Sequence, residues 1–377
     1  MSRKKGKSSR RIKDWQQQFT AGQGEDIAGS QERLAPKAIK LRGGSFADSQ
    51  QEDLASLPQA EGMVVEVFRR GAYVRVEGRE LFCGMAKTFR APATTSPLAV
   101  GDNVTVALAQ AAHTSGRLEM DRERMDGMIL SRQPRSTVLC RPLPRSGKRR
   151  QRYEEAFEKV IAVNMDVLLV VASVRQPALR PRLIERYLIV AQRGELAPLL
   201  AINKTDLGAP DEPTVRQFRD LGLGVILTSA ANGAGLEELR AALAGKRSVL
   251  VGASGVGKST LINALVPGAK AATREVRAKD ERGRHTTAAA AVYDLPCGGL
   301  IVDTPGVREL GVRLDAAELP WYFPEFEAMA NRCKFSNCTH THEPGCAVQA
   351  AVEAGQIPPR RFESYLRLLE ALSEDLG

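Results

Sequence analysis

From about residue 160 onward, short apolar runs alternate with segments whose apolar residues recur at helical spacing. Each run is almost continuously apolar, as expected for a strand buried on both faces of a parallel sheet. The alternation predicts an α/β domain in which ligands bind at the carboxyl ends of the strands. The predicted strands are 166–172, 197–202, 225–227, 249–251 and 300–302, and the predicted helices are 183–193, 212–221, 236–243 and 261–266.

Residues 61–135 show a different pattern, in which short apolar segments are separated by glycine-containing turns. The segments 63–68 and 72–76 flank Arg-Arg-Gly, which predicts a β-hairpin. Five short strands fit a partly open barrel of the OB type, which often binds oligonucleotides, although strand count alone does not separate it from an SH3-like barrel. The other three predicted strands are 80–84, 103–108 and 116–120.

Two polar, basic segments flank the predicted barrel. Residues 1–55 have no sustained periodicity, and their first 13 residues include seven Lys or Arg and no acid. We expect a disordered basic arm that contacts phosphates or, alternatively, serves only as a solubilising tail. The stretch 132–152 holds eight Lys or Arg, three prolines and no acid, and it predicts a linker that could also touch nucleic acid.

Composition and charge limit the kinds of protein that this chain can be. The chain has 377 residues, of which 43% are hydrophobic, enough for two or three domains with apolar cores. Residues 1–152 hold 28 basic and 16 acidic residues, a net of +12, whereas the remainder holds 26 and 28, a net of −2. The basic excess favours a polyanionic partner. We see no apolar run of the roughly 20 residues that a membrane span needs and no secretory signal, so we expect a cytoplasmic, monomeric protein without membrane contact.

A glycine-rich segment separates the predicted strand 249–251 from the predicted helix 261–266. Strand, glycine turn and helix together predict a phosphate-binding loop, because the backbone N–H groups and the helix N-terminus both favour an anion. Lys258 would reach the β- and γ-phosphates and assist transfer of the γ-phosphoryl group, and the Ser259 hydroxyl would bind Mg²⁺. The predicted nucleotide-binding residues of this loop are Gly252, Ala253, Ser254, Gly255, Val256, Gly257, Lys258, Ser259 and Thr260.

Two further motifs predict which base is bound. An Asn-Lys-Thr-Asp segment follows the strand 197–202 and resembles the guanine-specificity motif of GTPases. The Asp206 carboxylate can accept hydrogen bonds from guanine N1–H and the 2-amino group, a donor pair that adenine lacks. Thr228-Ser229-Ala230 resembles the supporting motif whose backbone donors meet the guanine carbonyl. The predicted base-contacting residues are Asn203, Lys204, Thr205, Asp206, Ser229 and Ala230.

The remaining motifs concern Mg²⁺ and the γ-phosphate. Asp303 follows the strand 300–302 and would hold Mg²⁺ through water, and the Gly306 N–H would meet the γ-phosphate. Thr286 or Thr287 would close the Mg²⁺ shell in the triphosphate state, and the sequence leaves open which of them does so.

The residue after Asp-x-x-Gly is Val307, where GTPases usually carry a glutamine that orients the attacking water. Valine can neither donate nor accept a hydrogen bond, so we expect weak intrinsic hydrolysis that depends on another group or a partner. His285 is the candidate catalytic residue for positioning water, and a structural or RNA-contacting role is the alternative.

Three cysteines and two histidines cluster near the C-terminus. The spacing Cys333-x4-Cys338-x-His340-x5-Cys346 suits a tetrahedral Zn²⁺ without an open position, which predicts a structural role. His342 competes with His340 as the nitrogen ligand. Reduced cysteines packed in a core are the alternative to a metal site.

The motifs occur in an unusual order, because the base motifs precede the phosphate loop instead of following it. With this order, the barrel, the sequence 134–139 and the cysteine cluster, residues 61 to 370 resemble the circularly permuted, ribosome-dependent GTPases of the RsgA family. The resemblance favours His285 as the group that positions water and His340 as the zinc ligand. It implies one structural Zn²⁺, Mg²⁺ bound with GTP, and contacts of the barrel and the zinc domain with the ribosome.

The resemblance therefore implies GTP hydrolysis to GDP and phosphate, stimulated by the 30S ribosomal subunit and coupled to late maturation or checking of that subunit and its 16S rRNA. An RNA-binding scaffold with a poorly hydrolysing guanine-nucleotide site is the alternative, against which Lys258, Ser259 and Asp303 argue. A small-molecule kinase that uses the same phosphate loop is a third hypothesis, and Asp206 argues against it. The expected domains are a disordered basic arm at 1–55, an OB-fold barrel at 56–135, a basic linker at 136–158, a circularly permuted P-loop GTPase domain at 159–313 and a mainly helical zinc-binding domain at 314–377.

Overall fold

A computed structural model of the chain describes residues 54, 56–68, 70–91, 96–108, 125–142, 158–269, 271, 290–304 and 316–374. The chain divides into two compact units, Met1–Ser136 and Thr137–Gly377. The predicted basic arm at 1–55 lies almost wholly outside the described residues. None of the described helices is long and apolar enough to cross a membrane.

The first unit contains a closed five-stranded barrel with the strand order β1-β2-β3-β5-β4. Its neighbouring strands pair antiparallel, except β3 and β5, which are parallel. This order confirms the OB type over the SH3-like alternative, and the pairing of β1 with β4 closes the barrel that the sequence predicted as partly open. The strands are β1 Gln59–Phe68, β2 Gly71–Val76, β3 Arg79–Met85, β4 Asn103–Leu108 and β5 Gly127–Arg132.

The fifth barrel strand is β5, which the sequence analysis did not predict. The predicted strand 116–120 lies outside the described residues. Ile129 of β5 is fully buried in the barrel core, but only three apolar residues mark the strand, and they are followed by a basic stretch. Because β5 pairs with strands distant in sequence, its position depends on contacts that local periodicity does not reveal.

Part of the predicted linker 136–158 is a strand. Val138–Pro142 (β6) pairs antiparallel with Glu158–Val163 (β7), and Leu139 is buried. The basic residues of this stretch suggested a linker, but its apolar triplet Val-Leu-Cys pairs with a strand beyond residues 143–157, which lie outside the described part.

The second unit is built on a six-stranded sheet with the order β10-β9-β8-β11-β13-β12. Five strands are parallel, and β12 pairs antiparallel with β13 at the edge. All seven residues of β8 are buried, which confirms the predicted central strand. The elements are β8 Val167–Ser173, α1 Pro181–Arg193, β9 Ala197–Asn203, α2 Glu212–Asp220, β10 Gly224–Leu227, α3 Leu236–Leu243, β11 Arg247–Val251, α4 Lys258–Leu265, β12 Ala291–Asp294 and β13 Leu300–Asp303.

Short helices form the C-terminal part of the same unit. Their core is aromatic, with Phe323, Phe326 and Tyr365 among its fully buried side chains, and Ile189 of α1 packs into it. They agree with the mainly helical domain expected at 314–377. The helices are α5 Pro324–Ala330, α6 Ala347–Glu353 and α7 Pro359–Glu374, preceded by a 3₁₀ turn at Leu319–Tyr322.

Candidate nucleotide and metal sites

The glycine-rich loop connects the end of β11 to the first residue of α4. Gly252 has φ +148° and Gly257 has φ +99°, in the range that favours glycine. A Cβ on Gly252 would lie 2.2 Å from the Val171 carbonyl oxygen, and one on Gly257 would lie 2.4 Å from Asn203 Nδ2. The loop is therefore pressed against the ends of β8 and β9, and side chains at these two positions would push it away.

Lys258 is the first residue of α4, and its amine lies over the loop. Lys258 Nζ donates to the carbonyl oxygens of Gly252 (2.7 Å) and Ala253 (2.8 Å). Because the amine spans the loop beside the N-terminus of α4, it adds a full positive charge where backbone N–H groups already favour an anion. Ser259 is the next residue, on the same first turn.

Asn203 joins the base motif to the phosphate loop. Its side chain is 2% exposed, Nδ2 donates to the Val256 carbonyl (3.0 Å), and Oδ1 accepts from the Ala230 N–H (3.1 Å). Three segments predicted separately from the sequence thus meet at one amide side chain. Asn203 and Val256 are 53 positions apart, so the sheet, and not local sequence, brings them together.

Lys204 extends this connection. It adopts a left-handed conformation (φ +65°), and its Nζ donates to the Gly255 carbonyl at 2.7 Å and to the Gln176 carbonyl. The sequence analysis missed the segment around Gln176, which follows β8, and its only signal is a Gln-Pro pair at the end of the strand. The Ser173 hydroxyl holds this segment by donating to the Pro177 carbonyl at 2.7 Å.

Asp206 lies in the 3₁₀ turn Thr205–Leu207 and is exposed. Its Oδ1 accepts a hydrogen bond from the Ser229 hydroxyl at 2.6 Å, and Ser229 itself is fully buried. The Thr205 N–H donates to the Thr228 carbonyl at 3.2 Å, which fixes the turn against the end of β10. The carboxylate is therefore oriented by a buried neighbour at an accessible rim, as a base-recognition group requires.

The predicted Mg²⁺ ligands are described only in part. Asp303 is the last residue of β13 and is 7% exposed, and in the parallel register it pairs with Leu250, next to the start of the loop. Asp303 thus lies at the same edge of the sheet as Ser259. The other predicted residues of this region, His285, Thr286, Thr287 and Gly306, lie outside the described residues.

The metal cluster consists of the four residues predicted from spacing. The ligand atoms of Cys333, Cys338, His340 and Cys346 all lie within 4.8 Å of one another. His340 Nδ1 is 3.7 Å from Cys333 Sγ and 3.4 Å from Cys346 Sγ. Zn–S and Zn–N bonds in a tetrahedral centre give a sulfur–nitrogen separation of about 3.5 Å, so the donor set fits this ion.

His340 is favoured over His342 by its surroundings. His340 is 3% exposed, whereas His342 is directed elsewhere, with its Nδ1 2.7 Å from the Thr341 hydroxyl oxygen. His340 has φ +60°, and its carbonyl accepts from the Gln349 side chain at 3.1 Å. The left-handed conformation turns the imidazole toward the three sulfurs, so local hydrogen bonds stabilise the ligand geometry.

Glu343 organises the turn that carries His340. Its carboxylate accepts hydrogen bonds from the Thr339 N–H (2.7 Å), the Thr339 hydroxyl (2.6 Å), the Thr341 N–H (3.1 Å) and the His342 N–H (3.2 Å). Desolvation opposes the charged form, but these bonds, led by those from Thr339, hold the pKa of Glu343 well below its usual range. The turn is therefore fixed by a carboxylate that stays ionised.

Burial favours the uncharged forms of the cluster side chains. It raises the pKa of the Cys338 thiol to about 12 and lowers the pKa of His340. A neutral imidazole is the form that binds metal, whereas the thiols must lose their protons. Metal binding here would therefore release protons.

Comparison with known proteins agrees with this geometry. The family profile described as RsgA GTPase matches residues 133–313. The small ribosomal subunit biogenesis GTPase RsgA of Chlorobaculum parvum is 42% identical over 257 residues, which are 67% of this chain and 81% of that protein. The crystal structure of YjeQ from Thermotoga maritima is 30% identical, with a TM-score of 0.60 over 84% of this chain and 99% of that one.

A second solved structure supports the fold alone, at 24% identity and a TM-score of 0.59; its title describes YloQ, a circularly permuted GTPase. It covers 84% of this chain and 96% of that one. The base loop, phosphate loop and Asp303 follow one another along this chain in the permuted order, at one edge of one sheet. The motif order, the site geometry and the extent of the matches together show that this chain belongs to the RsgA family of circularly permuted GTPases.

Proposed function

We propose that this protein binds GTP and hydrolyses it to GDP and phosphate in a step coupled to late maturation or checking of the small ribosomal subunit. The observation that carries the proposal is the Asn203 side chain, which hydrogen-bonds both the phosphate loop and the segment after β10. Base recognition and phosphate binding thereby share one rigid frame. The ribosomal part rests on the relatives, which are named as small ribosomal subunit biogenesis GTPases.

Each predicted residue has a role in this proposal. Asp206 accepts the guanine N–H donors, and the Ala230 N–H and its neighbours meet the guanine carbonyl. Lys258 and the loop N–H groups from 252 to 260 bind the β- and γ-phosphates and stabilise the charge that develops during transfer to water. The Gly306 N–H senses the γ-phosphate.

Ser259, Asp303 and either Thr286 or Thr287 would hold Mg²⁺, and their oxygen donors suit that ion. When bound, Mg²⁺ would neutralise negative charge on the phosphates. Cys333, Cys338, His340 and Cys346 would hold one structural Zn²⁺ that stabilises the C-terminal helices.

Val307 offers no hydrogen-bonding group for the attacking water, so intrinsic turnover is expected to be slow. His285 is proposed to position that water in the complex with the 30S subunit. A His285→Ala variant should bind GTP normally but lose most of the subunit-stimulated turnover. Unchanged stimulated turnover would refute the role of His285.

The test of the whole proposal is steady-state GTP hydrolysis by the full chain, alone and with purified 30S or 50S subunits. We expect slow turnover alone and strong stimulation by 30S subunits only. Binding to 30S particles without hydrolysis would instead favour the RNA-binding scaffold. Equal rates with and without either subunit would contradict coupling to the small subunit.

A further inference from the structure

Helix α1 lies between the phosphate loop and the C-terminal part with helices α5 to α7, which we call the metal domain. Ile184 and Tyr187 line a small cavity together with Ala253 and Val256 of the phosphate loop. Ile189 of the same helix packs into the aromatic core of the C-terminal helices. One helix therefore packs against the C-terminal core and borders the same cavity as the phosphate loop.

A buried charge network fixes this helix to the C-terminal part. Arg361 of α7 donates through Nη1 to Glu185 of α1 (3.2 Å) and through Nη2 to Glu325 of α5 (3.3 Å), and its Nε also donates to Glu325. The guanidinium carbon lies 4.4 Å from the centre of the Phe323 ring. A single planar side chain thus joins three helices, two from the metal domain and one from the GTPase fold.

The charges of this network are almost completely removed from water. The side chains of Arg361 and Glu185 are 5% and 2% exposed, and that of Glu325 is 15% exposed. Burial raises the pKa of Glu185, against hydrogen bonding to Ser364 and the charge of Arg361. Buried ion pairs give little net stability compared with apolar residues of the same size, but they define geometry, because only one arrangement satisfies the fork of the guanidinium.

Helices α7 and α5, which carry Arg361 and Glu325, also contact the cluster of Cys333, Cys338, His340 and Cys346. Tyr365 lies one turn beyond Arg361 on α7, and its hydroxyl donates to the Thr339 carbonyl at 2.7 Å. The imidazole of His340 lies 6.2 Å from the Tyr365 ring and 5.8 Å from the ring of Phe326, which follows Glu325 on α5. Contacts therefore connect His340 with α1, which lines the same cavity as the phosphate loop.

We propose that Arg361 is a positioning residue that couples the metal cluster to the nucleotide site, by holding α1 in the orientation that supports the phosphate loop. The inference rests on the proposed function, because it requires that the loop bind a guanine nucleotide. In this proposal, the C-terminal helices help to hold the phosphate loop in position. Since coupling between two sites is reciprocal, nucleotide binding should also stabilise the helices around the cluster.

The test compares nucleotide affinity with and without zinc in the full chain. A triple variant, Glu185→Met, Glu325→Gln and Arg361→Met, removes the network without leaving a buried charge unpaired. In the wild type, chelation of zinc should weaken binding of a fluorescent GDP analogue by at least about five-fold. In the triple variant the same treatment should change the dissociation constant by less than about two-fold, because the connection is gone.

The matched control is Glu363→Met with Arg367→Met, an exposed ion pair on the same helix whose charged atoms lie 3.7 Å apart. It should keep the wild-type response to zinc. A wild-type response in the triple variant would overturn the proposal, as would wild-type affinity that does not depend on zinc. Absence of GDP binding in every protein would instead contradict the proposed function itself.

A second measurement applies if the triple variant folds poorly. Arg361→Lys keeps the charge but cannot donate to both carboxylates with a planar fork. In metal-loaded protein, GDP should slow amide hydrogen exchange in residues 359–374 of the wild type, and this protection should be lost in Arg361→Lys. Equal protection in both proteins would overturn the proposal.

Discussion

The nucleotide site and the metal centre are positioned by two different kinds of interaction. Glycines without room for a Cβ hold the phosphate loop against the ends of parallel strands, and the Asn203 amide joins segments that are distant in sequence. The candidate metal centre would draw all four ligands from residues 333–346, a segment with little regular structure. The nucleotide site depends on the register of the sheet strands, whereas the candidate metal centre depends on the chemistry of its four ligand side chains.

The difference indicates which interactions each site depends on. The sheet remains when a side chain of the nucleotide site is removed, so such changes should affect binding and turnover more than folding. The metal segment has few backbone contacts of its own, so removal of one ligand should remove much of what holds it together. Variants of the two sites can break this distinction.

The largest effect is expected for loss of the metal. Cys346→Ser should abolish stoichiometric zinc and unfold the region around the cluster, because structural zinc sites contribute roughly 10–16 kcal/mol of apparent binding free energy. Cys346 Sγ also accepts from the Gln349 N–H at the start of α6, a capping role that serine can fill, so the variant keeps the cap of this helix. Elemental analysis and hydrogen exchange of residues 316–374 measure both effects.

The control for this variant is Cys297→Ser, which changes an exposed cysteine outside the cluster. It should keep full zinc content and wild-type stability. Retention of one zinc per chain by Cys346→Ser would contradict the proposed ligand set, and unfolding of the GTPase sheet together with the cluster would contradict the distinction between the two sites.

The next effect concerns Lys258. Lys258→Ala should lower GTP turnover by about 10²–10³-fold, as for the removal of other groups that stabilise developing charge, while the melting temperature stays close to that of the wild type. Lys246→Ala, an exposed lysine just before β11, is the control and should leave turnover unchanged. Steady-state hydrolysis with 30S subunits measures the effect, and turnover within two-fold or so of the wild type would refute the role of Lys258.

A smaller effect tests the dependence on glycine. Gly257→Ala should reduce nucleotide affinity and cost about 2–4 kcal/mol of stability, because the methyl group would meet Asn203 Nδ2 at 2.4 Å and the backbone is left-handed. Gly233→Ala is the matched control, with φ +86° and no atom within 4 Å of an added Cβ. Denaturant unfolding and GDP titration compare the two, and equal losses would show that close packing of the loop is unimportant.

The same difference explains how much of each site could be predicted from the sequence. The three cysteines of the candidate metal site were predictable because their spacing brings them within reach of one ion, and the resemblance to the family selected His340 over His342. The phosphate loop, the base motif and the sheet strands were predictable because buried parallel strands are continuously apolar. The structure places Asn203, Lys204, Asp206 and Lys258 at one edge of the sheet, as the chain order implied.

Features that depend on distant contacts were missed. Strand β5 is too short to show periodicity, and β6 lies in a stretch whose basic residues suggested a linker. The contact of Gln176 with Lys204 has only a Gln-Pro pair as a local signal. The burial of Glu185 and Arg361 has none, because an isolated charged residue is usually exposed. These positions become meaningful only when the fold brings their partners together.

The smallest of the predicted effects gives the most direct test that the base loop and the phosphate loop form one guanine site. The measurement is the affinity of wild type and Asp206→Asn for GTP and for xanthosine triphosphate, with Asp220→Asn, an exposed position on α2, as the control. Loss of the charged acceptor should weaken GTP binding by about 10–100-fold and favour the xanthosine nucleotide, because an amide can donate to the xanthine oxygen. If Asp206→Asn kept the wild-type preference for GTP, the assignment of this loop to the base, and with it the permuted guanine site, would be contradicted.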